Sequence, residues 1–196
     1  MEVKDRCVIK SCGITIPHGG QGHRLIEDEP IKMKKNINDN AKINEIERFY
    51  DDTCQSEQTR LERHRLEFEM TRRALDEYVL HKATVADVGS GPGKYSLYLA
   101  SNNHNVTSID LSAKNIDLLK EESSKKNVKI KDFVHANALS LPMLADQSFD
   151  VVLCMGPLYH LLGEDERIKA VHECLRILKP GGLVFIAFVS IYAQVL

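Results

Sequence analysis

The stretch that decides the fold is residues 85–93, which read VADVGSGPG. Residues 85–88 carry the β-branched and small apolar side chains of a short buried strand, and the glycines end that strand abruptly. Lys94 to Ala100 then has the composition of a helix. Such a strand, glycine turn and helix predict a ligand site, because backbone N–H groups and the positive end of the helix point at whatever lies over the turn. Glycine allows the positive φ and the close ligand approach that this turn needs.

The spacing of the glycines distinguishes two classes of ligand. The dinucleotide fingerprint is Gly-x-Gly-x-x-Gly, which places a pyrophosphate on the helix end. Here the glycines are Gly89, Gly91 and Gly93, and Lys94 stands where the third fingerprint glycine belongs. Asp87 precedes the first glycine by two residues, and its carboxylate suits a ligand with an ammonium group better than a pyrophosphate. A nicotinamide-dependent oxidoreductase, NAD(P)-linked, is therefore the less favoured alternative.

The glycine turn resembles motif I of the class I S-adenosylmethionine-dependent methyltransferases, and four further stretches follow in the order of that family. They are NVTSID (105–110), VHANALSLP (134–142), SFDVVLCMGP (148–157) and ECLRILKPGGLVFIAF (173–188). The resemblance covers residues 83–190 and implies a Rossmann-like methyltransferase of the small-molecule type. Its fold would be α/β, with a doubly wound, mostly parallel sheet, and its cofactor would be S-adenosyl-L-methionine.

The resemblance also assigns residues to the cofactor, all on loops at the carboxyl ends of strands. Asp110, at the tip of the second strand, is placed to accept hydrogen bonds from two ribose hydroxyls. Asp87 would bind the amino end of the methionine, whereas Asp150 is expected only to fix a local turn. The remaining cofactor residues are Gly89, Gly91 and Gly93 against methionine and ribose, Leu111 on the adenine, Asn137 and Ala138 at its edge, and the carbonyls of Cys154, Met155 and Gly156 for the ammonium.

Two candidate catalytic residues, Tyr159 and His160, lie in GPLYHLL (156–162), the loop that faces the methyl group in relatives. Histidine has an unperturbed pKa near ~6.5, which suits a general base. The alternatives for His160 are an ordinary polar surface residue or a contact that shapes the substrate site. Tyr159 is expected to contact acceptor or cofactor, and Cys154 to be an inert thiol inside a strand.

The pattern divides the chain into a polar, turn-rich extension (1–40), a helical cap (41–82) and the cofactor-binding core (83–196). The second helix of the cap is expected to begin at Ser56. We expect the cap to fold over the cofactor, with Tyr50 closing over the methionine end. One face of that helix gathers apolar residues at intervals of seven, seven and four, namely Leu61, Phe68, Leu75 and Val79.

Composition limits the classes of partner and the cellular compartment that we expect for this protein. Lys and Arg number 26 and Asp and Glu 28, for a net charge of −2, which argues against nucleic acid as a partner. No apolar stretch is long enough to cross a membrane, and the start lacks a signal peptide. Five scattered cysteines indicate a reducing compartment, hence a cytoplasmic protein. Cys7, Cys12, His18 and His23 do not have the spacing of a zinc finger, so no metal site is predicted.

The end of the chain departs from the family. Relatives add a helix and two strands after the fifth strand, whereas this chain stops at Leu196, shortly after the strand predicted at 183–189. We therefore expect a core that lacks its closing strands, with a long apolar edge that the polar extension does not cover. The expected consequences are self-association through that edge and low or absent transferase activity. A non-catalytic or truncated S-adenosylmethionine-binding module that needs a partner is the alternative; the acceptor, expected to be a small molecule, is not identified.

Overall fold

The architecture is a parallel sheet flanked by helices, seen in a computed structural model that describes residues 8–11 (backbone alone), 47–52 and 65–188. Every strand pairing in this part of the chain is parallel. The strand order is β1-β6-β5-β2-β3-β4. The strands are β1 (Val8–Ser11), β2 (Thr84–Val88), β3 (Asn105–Asp110), β4 (Asp132–His135), β5 (Phe149–Cys154) and β6 (Leu178–Phe188).

Helices connect the strands and cover both faces of the sheet. The helical residues are α1 (47–52), α2 (Arg65–Tyr78), α3 (Lys94–Ser101), α4 (Ala113–Lys125) and α5 (Glu164–Ile177), with a 3₁₀ turn at Pro157–Tyr159. From the sequence, Ser112 is predicted to cap a helix that runs to Lys126. In the structure Ser112 caps α4 by accepting a hydrogen bond from Asn115 N, which confirms the prediction. None of these helices is long and apolar enough to cross a bilayer.

The core forms two apolar layers, one on each face of the sheet. Val85 of β2 packs with Leu75 of α2 and Leu99 of α3 on one face. Val88, at the end of the same strand, packs with Ile177 of α5 on the other face. Burial on both faces is what a parallel sheet between helices requires, and it explains the continuous apolar runs of β5 (residues 151–154) and β6 (residues 183–188). The predicted doubly wound α/β fold is confirmed.

The strand order reverses next to β2, and this reversal positions the site. The chain proceeds from β2 through β3 to β4 in one direction, then returns to β5 and β6 on the other side of β2. The loops after β2 and β5 therefore separate to opposite faces, which opens a crevice at the carboxyl edge of the sheet. Both the glycine turn and the GPLYHLL loop lie at this crevice.

From the sequence, Pro180, Gly181 and Gly182 are predicted to stop the last helix and turn the chain, and the structure differs from this prediction. α5 ends at Ile177, and Leu178 is already extended and paired with Phe149, while Leu183 pairs with Val151. Residues 179–182 therefore form an irregularity inside β6 rather than a connection before it, with Gly181 at a φ of 76°. This irregularity has a tertiary cause, because the residues on both sides of the glycines, Leu178 and Leu183, pair with β5.

Asp150 fixes this amino edge of the sheet, which agrees with the structural role expected for it. Its Oδ2 accepts a hydrogen bond from Thr84 N at 2.8 Å, and its Oδ1 accepts one from Lys179 Nζ at 2.7 Å. The bond from Lys179 lowers the pKa of the Asp150 carboxyl. The side chain thus ties together the starts of β2, β5 and β6.

The edge of β6 is paired over part of its length. β1 lies parallel to it, with Val8 opposite Phe185 and Ser11 opposite Phe188. The expectation that the polar extension leaves this edge bare is therefore wrong for these residues. Several sequence predictions concern residues outside the described part of the chain, namely those for Cys7, Cys12, His18, His23, Ser56, Leu61 and Val189.

Candidate active site

The glycine turn is anchored to the neighbouring strand by backbone hydrogen bonds. Gly89 N and Ser90 N both donate to the carbonyl of Ile109, at 2.8 and 3.0 Å. Gly89, Gly91 and Gly93 have φ values of 73°, 55° and 77°, a region that side chains other than glycine rarely adopt. The turn is thus a rigid shelf between the tips of β2 and β3.

The three glycines have different surroundings. A Cβ on Gly89 would lie 2.5 Å from Pro157 Cδ, and a Cβ on Gly93 would lie 2.2 Å from a methyl group of Leu119. A Cβ on Gly91 would meet nothing within 4 Å. Gly89 and Gly93 therefore permit close packing within the protein, and Gly91 is the member of the trio that borders open space. All three stay predicted cofactor residues, but this geometry favours Gly91.

Asp110 lies beside that open space, held by donors from two loops. Its Oδ2 accepts a hydrogen bond from Gly91 N at 2.7 Å, while its Oδ1 accepts bonds from Ser112 N at 2.8 Å and Asn115 Nδ2 at 3.2 Å. Burial raises the pKa of the carboxyl, and these hydrogen bonds oppose the shift. The structure therefore joins the glycine turn and the tip of β3 at one acidic side chain.

Asp87 lies deeper than the sequence suggests. Its side chain is 2% exposed, and its Oδ2 accepts a hydrogen bond from Ser96 Oγ at 2.6 Å. Ser108 lies 3.2 Å from Ser96 and donates to Ser90 at 2.7 Å, so hydroxyls link the carboxyl to the glycine turn. Burial raises the pKa of Asp87 to about 6. Sequence reasoning missed these serines; the one available signal was the expected pairing of β2 with β3, which sets Asp87 beside Ser108.

The predicted adenine residues gather at the tips of β3 and β4. The carbonyl of Leu111 accepts a hydrogen bond from His135 Nε2 at 2.7 Å, which joins the two tips. Asn137 Oδ1 accepts a bond from Leu139 N at 2.9 Å and so shapes its own loop. Ala138 is buried next to it. The side-chain oxygen of Asn137 is therefore already engaged in one hydrogen bond within its own loop.

The tip of β5 contacts the glycine turn directly. A Cβ on Gly156 would lie 3.1 Å from the carbonyl oxygen of Gly89, and Met155 packs on the same apolar layer as Val85. Cys154 is fully buried and its thiol is not in a disulfide. A hydrogen bond with Cys174, together with burial, raises the pKa of the Cys154 thiol well above its usual value. Such a thiol is unreactive, as expected from its place in the strand.

His160 and Tyr159 lie at the end of the 3₁₀ turn that follows β5. The hydroxyl of Tyr50 is hydrogen-bonded to the His160 ring, and the two ring centroids are 5.1 Å apart. The centroids of Tyr159 and His160 are 4.4 Å apart. Burial lowers the pKa of His160, which keeps the imidazole neutral near pH 7 and able to accept a proton. The structure thus brings Tyr50 to the predicted catalytic loop.

α1 also contacts the opposite half of the site. Glu47 Oε1 lies 3.1 Å from His135 Nε2, and Asp51 Oδ1 accepts a hydrogen bond from Ser112 Oγ at 2.6 Å. With Tyr50 on His160, this short segment reaches the loops after β3, β4 and β5. Sequence reasoning singled out Tyr50 but missed Glu47, Asp51 and His135, which have no motif.

A separate cleft of about 360 Å³ lies at the opposite edge of the sheet. It is lined by the ends of α2 and α3 and by the residues before β3, among them Leu75, Tyr98 and His104. It shares no residue with the candidate site. Among the described residues, no group of three or more His, Cys, Asp or Glu side chains is arranged to hold a metal ion.

A family model described as "Methyltransferase domain" matches residues 86–186, just over half of the chain. The matched range begins in β2, ends in β6, and includes Asp87, the three glycines, Asp110 and His160. The chain belongs to this methyltransferase-domain family, which the resemblance of motif I predicted. Its cofactor is S-adenosylmethionine.

Individual relatives agree with the family. The ubiquinone biosynthesis O-methyltransferase of Klebsiella pneumoniae is 30% identical over 106 residues, which are 54% of this chain and 42% of that relative. The chain therefore spans less than half the length of this curated relative. A structure of S-adenosylmethionine-dependent methyltransferases from Methanosarcina mazei is 30% identical with a TM-score of 0.54, covering 58% of this chain and 55% of that one. The (4+2)-cyclase SpnF is also 30% identical, with a TM-score of 0.53 over 59% of this chain and 43% of its own.

Proposed function

We propose that this protein transfers the methyl group of S-adenosylmethionine to a hydroxyl group of a small molecule. The single observation that carries the proposal is the shelf at Gly91, where open space borders a buried carboxylate, Asp110, at the switch point of the sheet. Family membership supports the reaction class, and the name of the Klebsiella relative suggests oxygen as the accepting atom.

The residues present suit this cofactor. Asp110 retains acceptor capacity beyond its three internal bonds, since a carboxylate can take about four, and ribose hydroxyls are matching donors. Leu111, Asn137 and Ala138 would hold the adenine. The carbonyls of Cys154, Met155 and Gly156 would receive the ammonium group. Asp87, which is opposite Leu153 on the neighbouring strand, would contribute negative charge.

The cofactor, when bound, supplies a methyl group on a sulfonium, whose leaving group is a neutral thioether. The protein's first task is to align the acceptor, and alignment contributes ~7–11 kcal/mol in the best intramolecular models. Its second task is to remove the hydroxyl proton as the new O–C bond forms. His160 receives that proton on a ring nitrogen, because its lowered pKa leaves the ring neutral near pH 7. Tyr159 lines the acceptor side.

Replacing Asp110 tests the cofactor half of this proposal. Asp110→Ala removes the one further hydrogen bond that this charged acceptor can take from a ribose hydroxyl, which contributes about 1.5–3 kcal/mol, so cofactor affinity should fall at least tenfold. Asp117→Ala is the matched control, because Asp117 is exposed on α4 and pairs with Lys120 of the same helix. Calorimetric titration with S-adenosylhomocysteine measures both. Equal affinities in two folded variants would show that Asp110 does not hold the ribose.

A second candidate function is cofactor binding without transfer, in a module that works with a partner. It is favoured by the similarity to the (4+2)-cyclase SpnF, since that neighbour of the same fold is not named as a methyltransferase. Tight cofactor binding without methyl transfer to any hydroxyl acceptor would support it. We also propose a cytoplasmic location, since Cys154 and Cys174 are present as thiols, which persist in reducing compartments.

A further inference from the structure

Three large apolar side chains are exposed around His160. Phe49 on α1 is 59% exposed, Tyr159 is 38% exposed and Leu162 is 75% exposed. Exposed apolar residues that occur singly are normal on protein surfaces and need no explanation. A group of them at the mouth of a candidate active site is different, because such patches are usually binding surfaces.

The aromatic members form one continuous surface through the catalytic candidate. Phe49 contacts Tyr50 with 5.4 Å between ring centroids, Tyr50 contacts His160 at 5.1 Å, and His160 contacts Tyr159 at 4.4 Å. These distances are typical of packed aromatic pairs, so the rings are ordered relative to one another. An acceptor that presents a hydroxyl to His160 would therefore lie beside these aromatic rings.

Leu162 follows His160 by two residues in the same loop, and the protein holds its backbone in place. Arg167 Nη1 donates hydrogen bonds to the carbonyls of Leu161 at 2.7 Å and Leu162 at 2.9 Å. The loop is thereby fixed to the first turns of α5, and the backbone of Leu162 is fixed with it. The position of this exposed leucine is therefore set by hydrogen bonds within the protein.

The charges nearby disfavour an anionic acceptor. The segment 47–52 carries three acids and one arginine, and the first turn of α5 carries Glu164, Asp165 and Glu166. Arg167, the cation next in the chain, is already engaged by the carbonyls that it anchors. The Lys114 ammonium group lies 3.8 Å from Asp52. Glu47 and Asp51 face His135 and Ser112, so the acids that a negatively charged acceptor would meet beside Leu162 are those of the first turn of α5.

We infer that the acceptor is an uncharged molecule with an apolar group beside its reacting hydroxyl, and that this group lies on Phe49, Tyr159 and Leu162. We refer to these three side chains as the apolar mouth. The inference rests on the proposed function, since it concerns the acceptor of that reaction. It adds to it a substrate class and the residues that select for that class.

The test measures binding of three probes to the full chain saturated with S-adenosylhomocysteine: phenol, 4-butylphenol and 4-(4-hydroxyphenyl)butanoate. Each methylene buried on the mouth should increase affinity by up to about fourfold, because a buried CH₂ contributes about 0.8 kcal/mol. We expect 4-butylphenol to bind at least tenfold more tightly than phenol, and at least tenfold more tightly than the carboxylate. Equal binding of phenol and 4-butylphenol, or preference for the carboxylate, would overturn the inference.

Leu162→Ser tests whether the affinity gain of 4-butylphenol over phenol comes from the apolar mouth. It should weaken 4-butylphenol binding roughly three- to tenfold while leaving phenol and S-adenosylhomocysteine binding unchanged. Leu80→Ser is the matched control, because Leu80 is 82% exposed but precedes β2 at the far edge of the sheet. If the two variants behave alike, the mouth is not the binding surface. Failure of S-adenosylhomocysteine to bind would instead overturn the proposed function, and this inference with it, so the two failures are distinguishable.

Discussion

Gly91 and Gly93 stand two residues apart in the same turn with similar backbone conformations, yet the structure gives them opposite surroundings. We predict that Gly93→Ala is strongly destabilising, because it adds overpacking against the buried Leu119 to the cost of a positive φ, about 2–5 kcal/mol together. Gly91→Ala should cost only the φ term, about 1–2 kcal/mol. Urea denaturation measures both.

Gly91→Ala should nevertheless lower cofactor affinity at least tenfold, since its methyl group would project into the open space assigned to the ligand. This makes Gly91→Ala a binding variant and Gly93→Ala a folding variant. Similar losses of stability in the two, or normal cofactor affinity in Gly91→Ala, would contradict the division of roles.

Asp87 makes stability depend on pH in a defined direction. Its pKa is about 6 in the folded protein and near 3.8 in the unfolded chain, so the folded state retains the proton longer. Its contribution is therefore fully present below pH ~4 and is lost as the pH rises through ~6. The loss is of the order of 3 kcal/mol. Asp87→Asn should remove this contribution to the decrease of the free energy of unfolding between pH 4 and 7. If the free energy of unfolding decreases with pH equally in the variant and the original protein, Asp87 does not have a raised pKa in the folded state.

Individual residues were predictable where local chemistry decides them. The Ser112 cap, the acid at the tip of β3 and the inert Cys154 follow from neighbours in sequence. The partners of Asp87 and the two glycines that pack internally do not, because Ser96, Pro157 and Leu119 approach only when the chain folds. A glycine motif shows that close approach is needed, but it does not show what approaches.

Among the elements, α1 is the one whose role depends most on a few polar contacts. Asp51 accepts hydrogen bonds from Ser112 Oγ at 2.6 Å and from Lys114 N at 3.4 Å, at the beginning of α4. Asp52, in contrast, makes a long, exposed ion pair with Lys114. Asp51→Ala should therefore cost about 1 kcal/mol, as loss of a helix cap does, and Asp52→Ala close to nothing.

Hydrogen exchange gives the corresponding local measurement. Amide protons in the first turn of α4 should exchange faster in Asp51→Ala, since the segment 47–52 loses its hold on that helix. The same amides should be unaffected in Asp52→Ala. Equal exchange rates in both variants would mean that Asp51 does not anchor α1.

The elements of the core were largely predictable, and the exceptions share a cause. The periodicity and turn residues identified β2, β3, β5 and the α4 cap because each is set by a short stretch of sequence. The end of α5 and the irregular start of β6 were not, since Lys179 is fixed by Asp150 on another strand. β1 was missed because its pairing with β6 joins residues almost 180 positions apart.

At the scale of the whole molecule, the sheet order explains why the site lies where it does. The reversal beside β2 opens the crevice, the glycine turn and the β5 loop border it, and α1 spans the tips of three strands. β1 covers part of the β6 edge, so self-association through that edge stays a prediction for sedimentation to examine.

The central claim is that this fold binds S-adenosylmethionine at the shelf formed by Gly91 and Asp110. The most direct measurement is the melting temperature of the full chain with and without S-adenosylhomocysteine. At a hundredfold excess over Kd, binding should add about 2.7 kcal/mol, which for a chain of this size raises the melting temperature by roughly 5–10 °C. Asp110→Ala should lose at least about half of that shift at the same ligand concentration, because a tenfold weaker affinity leaves about 1.4 kcal/mol of stabilisation. A folded protein whose melting temperature does not respond to the ligand would contradict the account.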